Sequence, residues 1–515
     1  MIKILTAIEQ TNPKHLFWFI VAASIVLAAQ MQAIQHGWIN PDSVLYLEAA
    51  KHIVIGDIRG AYQIFNWPFY ALCIGIVSKL TTFNVHLSAQ LLNMVFFGIT
   101  AASLLKIIQL AGGKNLAIFA GALLLFGNLY IVGDVLEMLM RDEGFWAFYL
   151  TSLVFFIRFY QQQKMSDALL WQVTAIIAVL FRIEAITFLL LLPLVFIVDS
   201  QLNYRQRVIN LIKTYSITLL SLLIIFIAIN TVESLSIKNF GRLQEVFSMD
   251  LWSIFSQNLM NKSAIMSDRV LGRYLDEYAV SGLLLTFTYV IIVKNLTTLG
   301  LVSVVLIGMY LKNKLDLINS DVKRVLAATA IICLLNMALI ITKVFVLSSR
   351  YIVALTLILL IVSALYLGCL LKEATTKSQT KRMGAIISIV IIIMCLSIIK
   401  NVLPKRDGYN YSQEAVAWTK AINKNNAPIF YNETRMRYYA NEKFIGTWVS
   451  TIKVLADAVE NQSINQYSYL LIASSKKETE KLKLITEKIP QYKLVKTFNN
   501  FKGEKFVLIF KRSSQ

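Results

Sequence analysis

The chain has 515 residues, of which 57% are hydrophobic and only 16% are charged, and its formal net charge is +20. A soluble domain carries about 25% charged residues, so this composition argues against an ordinary water-soluble protein. Apolar runs of about 17–25 residues recur along most of the length, which indicates a polytopic α-helical membrane protein. Long apolar runs also exclude an outer-membrane barrel, whose strands alternate apolar and polar residues.

The excess of lysine and arginine is typical of cytoplasmic loops that anchor membrane helices, and attraction to anionic lipid is the alternative explanation. We expect contact with membrane lipid and no nucleic-acid partner. The four cysteines lie in apolar segments and the four histidines are scattered, so no disulfide framework and no zinc site is predicted. The first apolar run lacks a cleavage pattern and predicts a retained span.

The first span is predicted at about 16–34, after a short polar start. A polar and aromatic segment follows, and within it Pro68–Leu80 is apolar but short, which favours a helix lying in the membrane interface. Residues 281–312 allow either one span with an interfacial helix or two short spans. Further spans are predicted at 86–108, 115–133, 144–160, 167–181, 184–199, 208–230, 325–346, 351–371 and 384–401.

Positive charge in the short loops predicts the orientation. Placing loops such as the one with Arg158 and Lys164 in the cytoplasm gives a cytoplasmic N-terminus, about eleven spans and an external C-terminal domain. If Pro68–Leu80 and 281–294 both crossed the membrane, the count would rise to about thirteen and the Arg158 loop would face outward, so we favour eleven. The predicted division is a membrane domain, 1–403, with external loops 35–85, 134–143 and 231–294, and an external domain, 404–515.

The tail after Pro404 is ordinary in composition. Strand patterns at 427–433, 467–474, 492–498 and 505–511 alternate with helical patterns at 411–424, 448–461 and 476–488, which predicts a small α/β domain. The tail carries no glycine-rich phosphate loop and no cysteine cluster. Its predicted role is therefore that of a scaffold or an acceptor-docking domain.

Asp42 follows the first span in a turn that starts a helix, on the predicted external side. Catalysis and a helix N-cap explain this carboxylate about equally well, since Asp and Ser commonly cap free backbone amides. Asp142 and Glu143 follow Arg141 at the external end of another span, where two acids and an arginine exceed what a helix start requires. The nearby Asp134 and Glu137 could belong to the same site or could be loop residues that face solvent, and we favour the second interpretation.

Two further arginines lie at boundaries of apolar segments. Arg350 precedes Tyr351 at the start of a span, and Arg182 interrupts two apolar runs together with Glu184. Interfacial anchoring or a local ion pair would explain each arginine. The planar guanidinium also suits phosphate binding, which we favour for Arg350 and leave open for Arg182.

The order of these features resembles the C-type glycosyltransferase superfamily (GT-C), membrane enzymes that use polyprenyl-phosphate sugars. The likeness is greatest to the branch with protein O-mannosyltransferases and the lipid A aminoarabinose transferase. The matching pieces, in order, are Asp42-Ser43 with Tyr46 and Glu48, Trp67-Pro68-Phe69-Tyr70, Arg141-Asp142-Glu143, Arg182-Ile183-Glu184-Ala185, Ser349-Arg350-Tyr351 and the α/β tail.

This resemblance implies an inverting hexosyl- or pentosyltransferase that takes a sugar from an undecaprenyl- or other polyprenyl-phosphate carrier. It implies that Asp42 is the catalytic base and that the second catalytic acid is Asp142 or Glu143. The candidates for binding substrate or lipid phosphate are Arg350, Arg141, Arg182, Tyr46 and Tyr351. Family members often have two acids at the first site, where this chain has Ser43, so no metal ligand is assigned and a divalent cation remains open.

The acceptor is expected to be a glycolipid, a polysaccharide or a protein. A flippase or transporter for a lipid-linked sugar would bury charge in mid-membrane and often show internal repeats, which we do not find. An O-antigen polymerase or ligase generally lacks a large C-terminal α/β domain. The composition, rich in Lys, Ile and Asn, favours a bacterial inner membrane, with the tail in the periplasm.

Overall fold

The computed structural model describes residues 2–231, 241–242, 251–272, 274–375, 381–447 and 449–513. Part of the predicted polar loop 231–294 therefore lies outside the described residues. The chain divides into two compact units. The first unit comprises Met1–Ala29, Leu91–Leu136 and Arg141–Val402, and the second comprises Gln30–Gln90, Glu137–Met140 and Leu403–Gln515. The predicted division placed residues 35–85 with the membrane helices, whereas their packing groups them with the tail.

Long apolar helices confirm a polytopic α-helical membrane protein. Among the described residues, seven helices are long and apolar enough to cross a membrane, or eight if one bent pair is a single span. They are Pro13–Ile34, Val85–Leu110, Tyr204–Ile227, Asp276–Leu299, Ser320–Val344, Val353–Thr375 and Gly384–Val402, and the bent pair is Asn115–Phe126 with Leu129–Val135. The count of eleven and the sidedness stay predictions.

The remaining α-helices up to Val402 are shorter, less apolar or interrupted. They are Ile2–Gln10, Pro41–Val54, Ile58–Ile64, Phe69–Thr81, Asp142–Gln162, Met165–Phe181, Ile186–Leu191, Val195–Val198, Leu251–Met266 and Leu301–Asn313. In the ambiguous stretch 281–312 the longer helix comes first and ends at Leu299. Gly300 then adopts a φ of +86°, a backbone conformation that glycine adopts without steric cost, and a short helix follows.

The bent pair in the first unit is organised by Asn128. The two helices meet at 44°, and the buried Asn128 side chain accepts hydrogen bonds from the backbone amides of Tyr130 and Ile131. Its amide group donates to the carbonyl of Thr298. Asn401 donates to the Phe126 carbonyl from another helix. Side chains thus satisfy backbone groups that the helix break leaves unpaired, which an apolar environment requires.

The tail is the small α/β domain that the sequence predicts. Its four strands are β1 (Ile429–Tyr431), β2 (Tyr469–Ser475), β3 (Tyr492–Asn499) and β4 (Lys505–Arg512), in the sheet order β1-β2-β4-β3. Only β1 and β2 are parallel, and β4 pairs antiparallel with both neighbours. The tail helices are Tyr411–Ile422, Thr434–Ala440, Thr451–Glu460 and Thr479–Thr486. The short helix Thr434–Ala440 was not predicted.

Alternation along β2 builds two cores, one on each face of the sheet. Leu471 and Ala473 pack with the helix that carries Ala415 and Val416. Leu470 and Ile472 pack on the opposite face with the helices that carry Leu455 and Leu482. Successive side chains of a strand point to opposite faces, so a continuous apolar strand is what a sheet covered on both sides needs.

We expect Asn432→Ala to lower the free energy of unfolding of the second unit by about 2 kcal/mol. The buried Asn432 side chain accepts from the Ala473 amide at 2.7 Å and donates to the carbonyls of Thr451 and Ala473, and alanine would leave these backbone groups unsatisfied. Thermal unfolding of the detergent-solubilised protein measures the loss. The control is Asn461→Ala, an exposed asparagine in the same tail, which should have little effect. Equal midpoints for the two variants would contradict the prediction.

Candidate functional site

A buried cluster of arginines and carboxylates lies in the first unit, around Asp142. Asp142 begins the helix Asp142–Gln162 and is only 1% exposed. Its Oδ1 accepts a hydrogen bond from Nη1 of Arg182, and its Oδ2 lies 4.0 Å from Nη1 of Arg350. The three residues come from distant parts of the sequence, so the fold brings together three of the predicted site residues.

Arg182 is held on several sides. It follows the helix Met165–Phe181 in an extended conformation, just before a single 3₁₀ turn. Its Nε lies 3.4 Å from Oε2 of Glu184, which confirms the local ion pair considered from the sequence. The guanidinium also lies over the ring of Tyr351, 4.4 Å from the ring centre. A guanidinium fixed in this way is placed to hold Asp142 and Glu184 in position.

Positive charge exceeds negative charge in this cluster. Arg242 Nη2 lies 3.7 Å from Oε1 of Glu184, and Arg141 is close enough to the same carboxylate to interact with its charge. With Arg182 and Arg350, four arginines therefore surround Asp142, Glu143 and Glu184. Arg350 is the more accessible of the two arginines beside Asp142, with 27% of its side chain exposed against 5% for Arg182. Surplus charge on an accessible guanidinium suits an anionic ligand such as a phosphate.

Glu143 has a different environment from its neighbour Asp142. It is fully buried, and within the described part of the chain neither of its carboxylate oxygens has a hydrogen-bond partner. Burying an ionised carboxylate without a partner is costly, so the group requires either a proton or a ligand that donates to it. Of the two predicted acids, Asp142 binds arginines, whereas the carboxylate oxygens of Glu143 can still accept hydrogen bonds from a ligand.

In the second unit, the structure assigns the helix N-cap to a residue other than Asp42. The helix Pro41–Val54 is capped by Asn40, whose side-chain oxygen accepts from the Asp42 backbone amide at 2.9 Å. Asp42 lies in the first turn and is half-buried. The N-cap explanation of Asp42 is therefore wrong. A favourable interaction of the carboxylate with the helix dipole remains.

Two neighbours of Asp42 face the interior of the second unit. Tyr46 is buried, and its ring packs edge-on against Phe65 and Tyr70, with centroid distances of 5.4 Å in both cases. Ser43 is fully buried and donates to the sulfur of Met140 at 3.8 Å. The aromatic contacts give Tyr46 a packing role, and its predicted role in binding substrate stays a prediction.

The sequence interpretation of Glu137 was wrong. Asp134 is exposed as predicted, but Glu137 is only 4% exposed and lies inside the second unit. It forms an ion pair with Lys405 and accepts a hydrogen bond from the Tyr409 hydroxyl. These partners are more than 260 residues away along the chain, so no local sequence pattern could have indicated them.

The predicted residues therefore fall into two groups. Asp142, Glu143, Arg141, Arg182, Arg350 and Tyr351 belong to the first unit, and Asp42 and Tyr46 belong to the second. In the described parts of the chain, no three His, Cys, Asp or Glu side chains come together in a way that could hold a metal ion.

The comparisons with known proteins give a likeness among solved structures. No protein-family model and no curated protein matches the chain. Among solved structures, the chain is similar to the archaeal oligosaccharyltransferase AglB from Archaeoglobus fulgidus, in complex with an inhibitory peptide and a dolichol-phosphate. The likeness covers 98% of this chain and 74% of that one, at 10% sequence identity and a TM-score of 0.47. A likeness of this degree says nothing about the reaction.

We expect Asp142→Asn to lower the free energy of unfolding by about 2 kcal/mol, because the buried Arg182 guanidinium loses the carboxylate that accepts its hydrogen bond and keeps Glu184 as a counter-charge. Asp42→Asn removes the same charge from a half-buried position and should cost less than about 1 kcal/mol. Thermal unfolding of both variants in the same detergent makes the comparison. Equal losses would contradict the assignment of a structural ion pair to Asp142.

Proposed function

We propose that the protein is a membrane glycosyltransferase of the GT-C type that transfers a sugar from a polyprenyl-phosphate carrier to an acceptor hydroxyl. The observation that supports this proposal best is the convergence of Arg182 and Arg350 on the buried Asp142 carboxylate. The sequence indicates acid chemistry for Asp142 and phosphate binding for Arg350, and leaves phosphate binding open for Arg182. Beside this cluster, Glu143 is a second buried carboxylate that has no hydrogen-bond partner within the described part of the chain.

In the proposed reaction, Arg350 binds the phosphate of the carrier lipid. Its planar fork can form two parallel hydrogen bonds to phosphate oxygens, and its charge stabilises the phosphate that is left as the sugar departs. Asp142 keeps the arginines in place. Glu143, whose carboxylate has no hydrogen-bond partner among the described residues, accepts hydrogen bonds from sugar hydroxyls of the donor or acceptor.

Asp42 acts as the general base in this proposal. It takes the proton from the acceptor hydroxyl as the oxygen attacks the anomeric carbon and the bond to the lipid phosphate breaks, which inverts the configuration. A phosphate is a good leaving group, so no general acid is required. The capping of the helix by Asn40 supports this role, because the Asp42 side chain is not needed for the cap.

The proposed setting is a bacterial inner membrane, with a cytoplasmic N-terminus and the tail in the periplasm. The sugar is a hexose or pentose, the carrier is undecaprenyl or another polyprenyl phosphate, and the acceptor is a glycolipid, a polysaccharide or a protein. The alternatives are a flippase for a lipid-linked sugar and an O-antigen polymerase or ligase. A flippase would move the labelled carrier across a bilayer without breaking the sugar–phosphate bond.

We expect Asp42→Asn to reduce sugar transfer by at least about 100-fold, because the acceptor hydroxyl loses its base. The measurement is transfer of radiolabelled sugar from a panel of polyprenyl-phosphate sugars in membranes with matched amounts of the wild type and the variant. Full activity in the variant would exclude Asp42 as the base. Movement of label across the bilayer without transfer would favour the flippase.

Arg350→Lys should raise the KM for the lipid donor about tenfold, because lysine keeps the charge but loses the bidentate fork. Arg350→Ala should raise it further. The control is Arg158→Lys, which alters an arginine paired with another buried carboxylate, Asp167, in the same unit. The same KM in the Arg350 and Arg158 variants would contradict a role for Arg350 in binding phosphate.

A further inference from the structure

Within the second unit, the tail holds the segment that leads into the Asp42 helix. The Ile39 amide donates to the Tyr439 hydroxyl at 3.0 Å, and Ile39 itself is only 1% exposed. The Asn410 side chain donates to the Gln35 carbonyl at 3.1 Å. The rings of Trp38 and Tyr409 are in contact, with centroids 5.3 Å apart. Three tail residues therefore fix the backbone immediately before the Asn40 cap.

The same segment is held from a second side by residues 137–140. Asn40 donates to the sulfur of Met138 at 3.4 Å, and Ser43 donates to that of Met140. Glu137 pairs with Lys405 and accepts a hydrogen bond from Tyr409, so residues 137–140 are themselves held by the tail. The cap residue is thus fixed through its side chain as well as through the backbone before it.

The other end of the Asp42 helix is held by the neighbouring tyrosine of the same short tail helix. The Tyr438 hydroxyl lies 3.2 Å from Nδ1 of His86, and the Lys51 ammonium lies 5.0 Å from the centre of the Tyr438 ring. Lys51 also pairs with Glu48 at 2.7 Å, one turn earlier on the helix. Adjacent tyrosines therefore contact both ends of the helix Pro41–Val54.

Both phenols stay neutral over the ordinary pH range. Burial is the main cause that raises the pKa of Tyr438 and of Tyr439 above the usual value. Arg435, one turn before Tyr439, keeps its charge: burial alone would lower its pKa, but the Glu433 carboxylate outweighs burial and raises it. The hydrogen bond from Ile39 to Tyr439 therefore does not depend on pH near neutrality.

We propose that the tail domain is a positioning domain for the catalytic base, and that Tyr439 is its principal positioning residue. This inference rests on the proposed role of Asp42. The position of a base relative to its substrate affects the rate steeply, since a displacement of about 1 Å can cost about 100-fold. In the described residues, Tyr439 acts on Asp42 through the backbone at Ile39 and the Asn40 cap, so the loss of its hydroxyl should change turnover and leave donor binding unaffected.

The test is Tyr439→Phe in the full-length protein, examined by hydrogen exchange and by kinetics. Removing the hydroxyl leaves the buried Ile39 amide without its acceptor, so its exchange should become about tenfold faster. Exchange of the β2 amides, in the core of the tail, should not change. The kcat for sugar transfer should fall about tenfold with the KM for the lipid donor unchanged.

Two further variants make the result decisive. Tyr467→Phe, a tail tyrosine that packs on Phe430, should change neither exchange at Ile39 nor kcat. Asn410→Ala removes the bond to Gln35 and should reproduce the effect of Tyr439→Phe, which keeps the proposal testable if one variant does not fold.

Unchanged exchange of the Ile39 amide in both Tyr439→Phe and Asn410→Ala would overturn the proposal that the tail holds this segment, whatever the reaction. Faster exchange with unchanged kcat would overturn the positioning role. A wild-type protein that transfers no sugar from any donor would overturn the proposed function and the positioning role with it. Hydrogen exchange at Ile39 does not depend on the reaction, so it would still show whether the tail holds this segment.

Discussion

The ion pair between Asp142 and Arg182 is the interaction on which the candidate site in the first unit depends. It is buried, and a buried charge is stable only when another charge and hydrogen bonds replace the water it has lost. Asp142 begins one helix and Arg182 ends another, so the pair fixes two helix ends together. Arg350, from a third segment, approaches the opposite oxygen of the same carboxylate. The site is assembled at helix ends because charged groups are least costly there in an apolar protein.

In the second unit, the polar residues that hold the backbone in place differ from the residue that is proposed as the base. Asn40 caps the helix, and Glu137 binds Lys405 and Tyr409. The partners of Asn40 and Glu137 therefore explain the positions of these two side chains. Asp42 lies half-buried in the first turn, where Asn40 and not Asp42 is the cap, and this position is compatible with the proposed role as a base.

Much of the fold could be predicted from the sequence because it depends on local periodicity. The strands of the tail follow from short apolar runs between turn residues, and the long membrane helices follow from uninterrupted apolar runs. Helix breaks were harder to predict. The bend at Asn128 depends on a hydrogen bond from Asn128 to the Thr298 carbonyl and on one from Asn401 to the Phe126 carbonyl. Neither Thr298 nor Asn401 is near the bend in sequence. The identities of the site residues Asp142, Arg182 and Arg350 were visible in the sequence. The sequence did not show which of these residues pair, because an ion pair depends on the distance between side chains in the folded protein.

The contrast between Asp142 and Glu143 shows why composition alone cannot assign roles to two adjacent acids. Neighbouring residues at a helix start point in directions about 100° apart, so one carboxylate can pair with arginines while the next one forms no hydrogen bond to them. Asp142 meets Arg182 and Arg350, and Glu143 lies buried without a hydrogen-bond partner among the described residues. An acid already bound to a guanidinium is suited to holding that guanidinium in place. An acid with unused acceptor capacity is suited to a ligand with hydroxyl groups, and a sugar offers several such groups. In the proposed reaction the two acids therefore complement each other, because one holds the arginines that bind phosphate and the other accepts hydrogen bonds from the sugar.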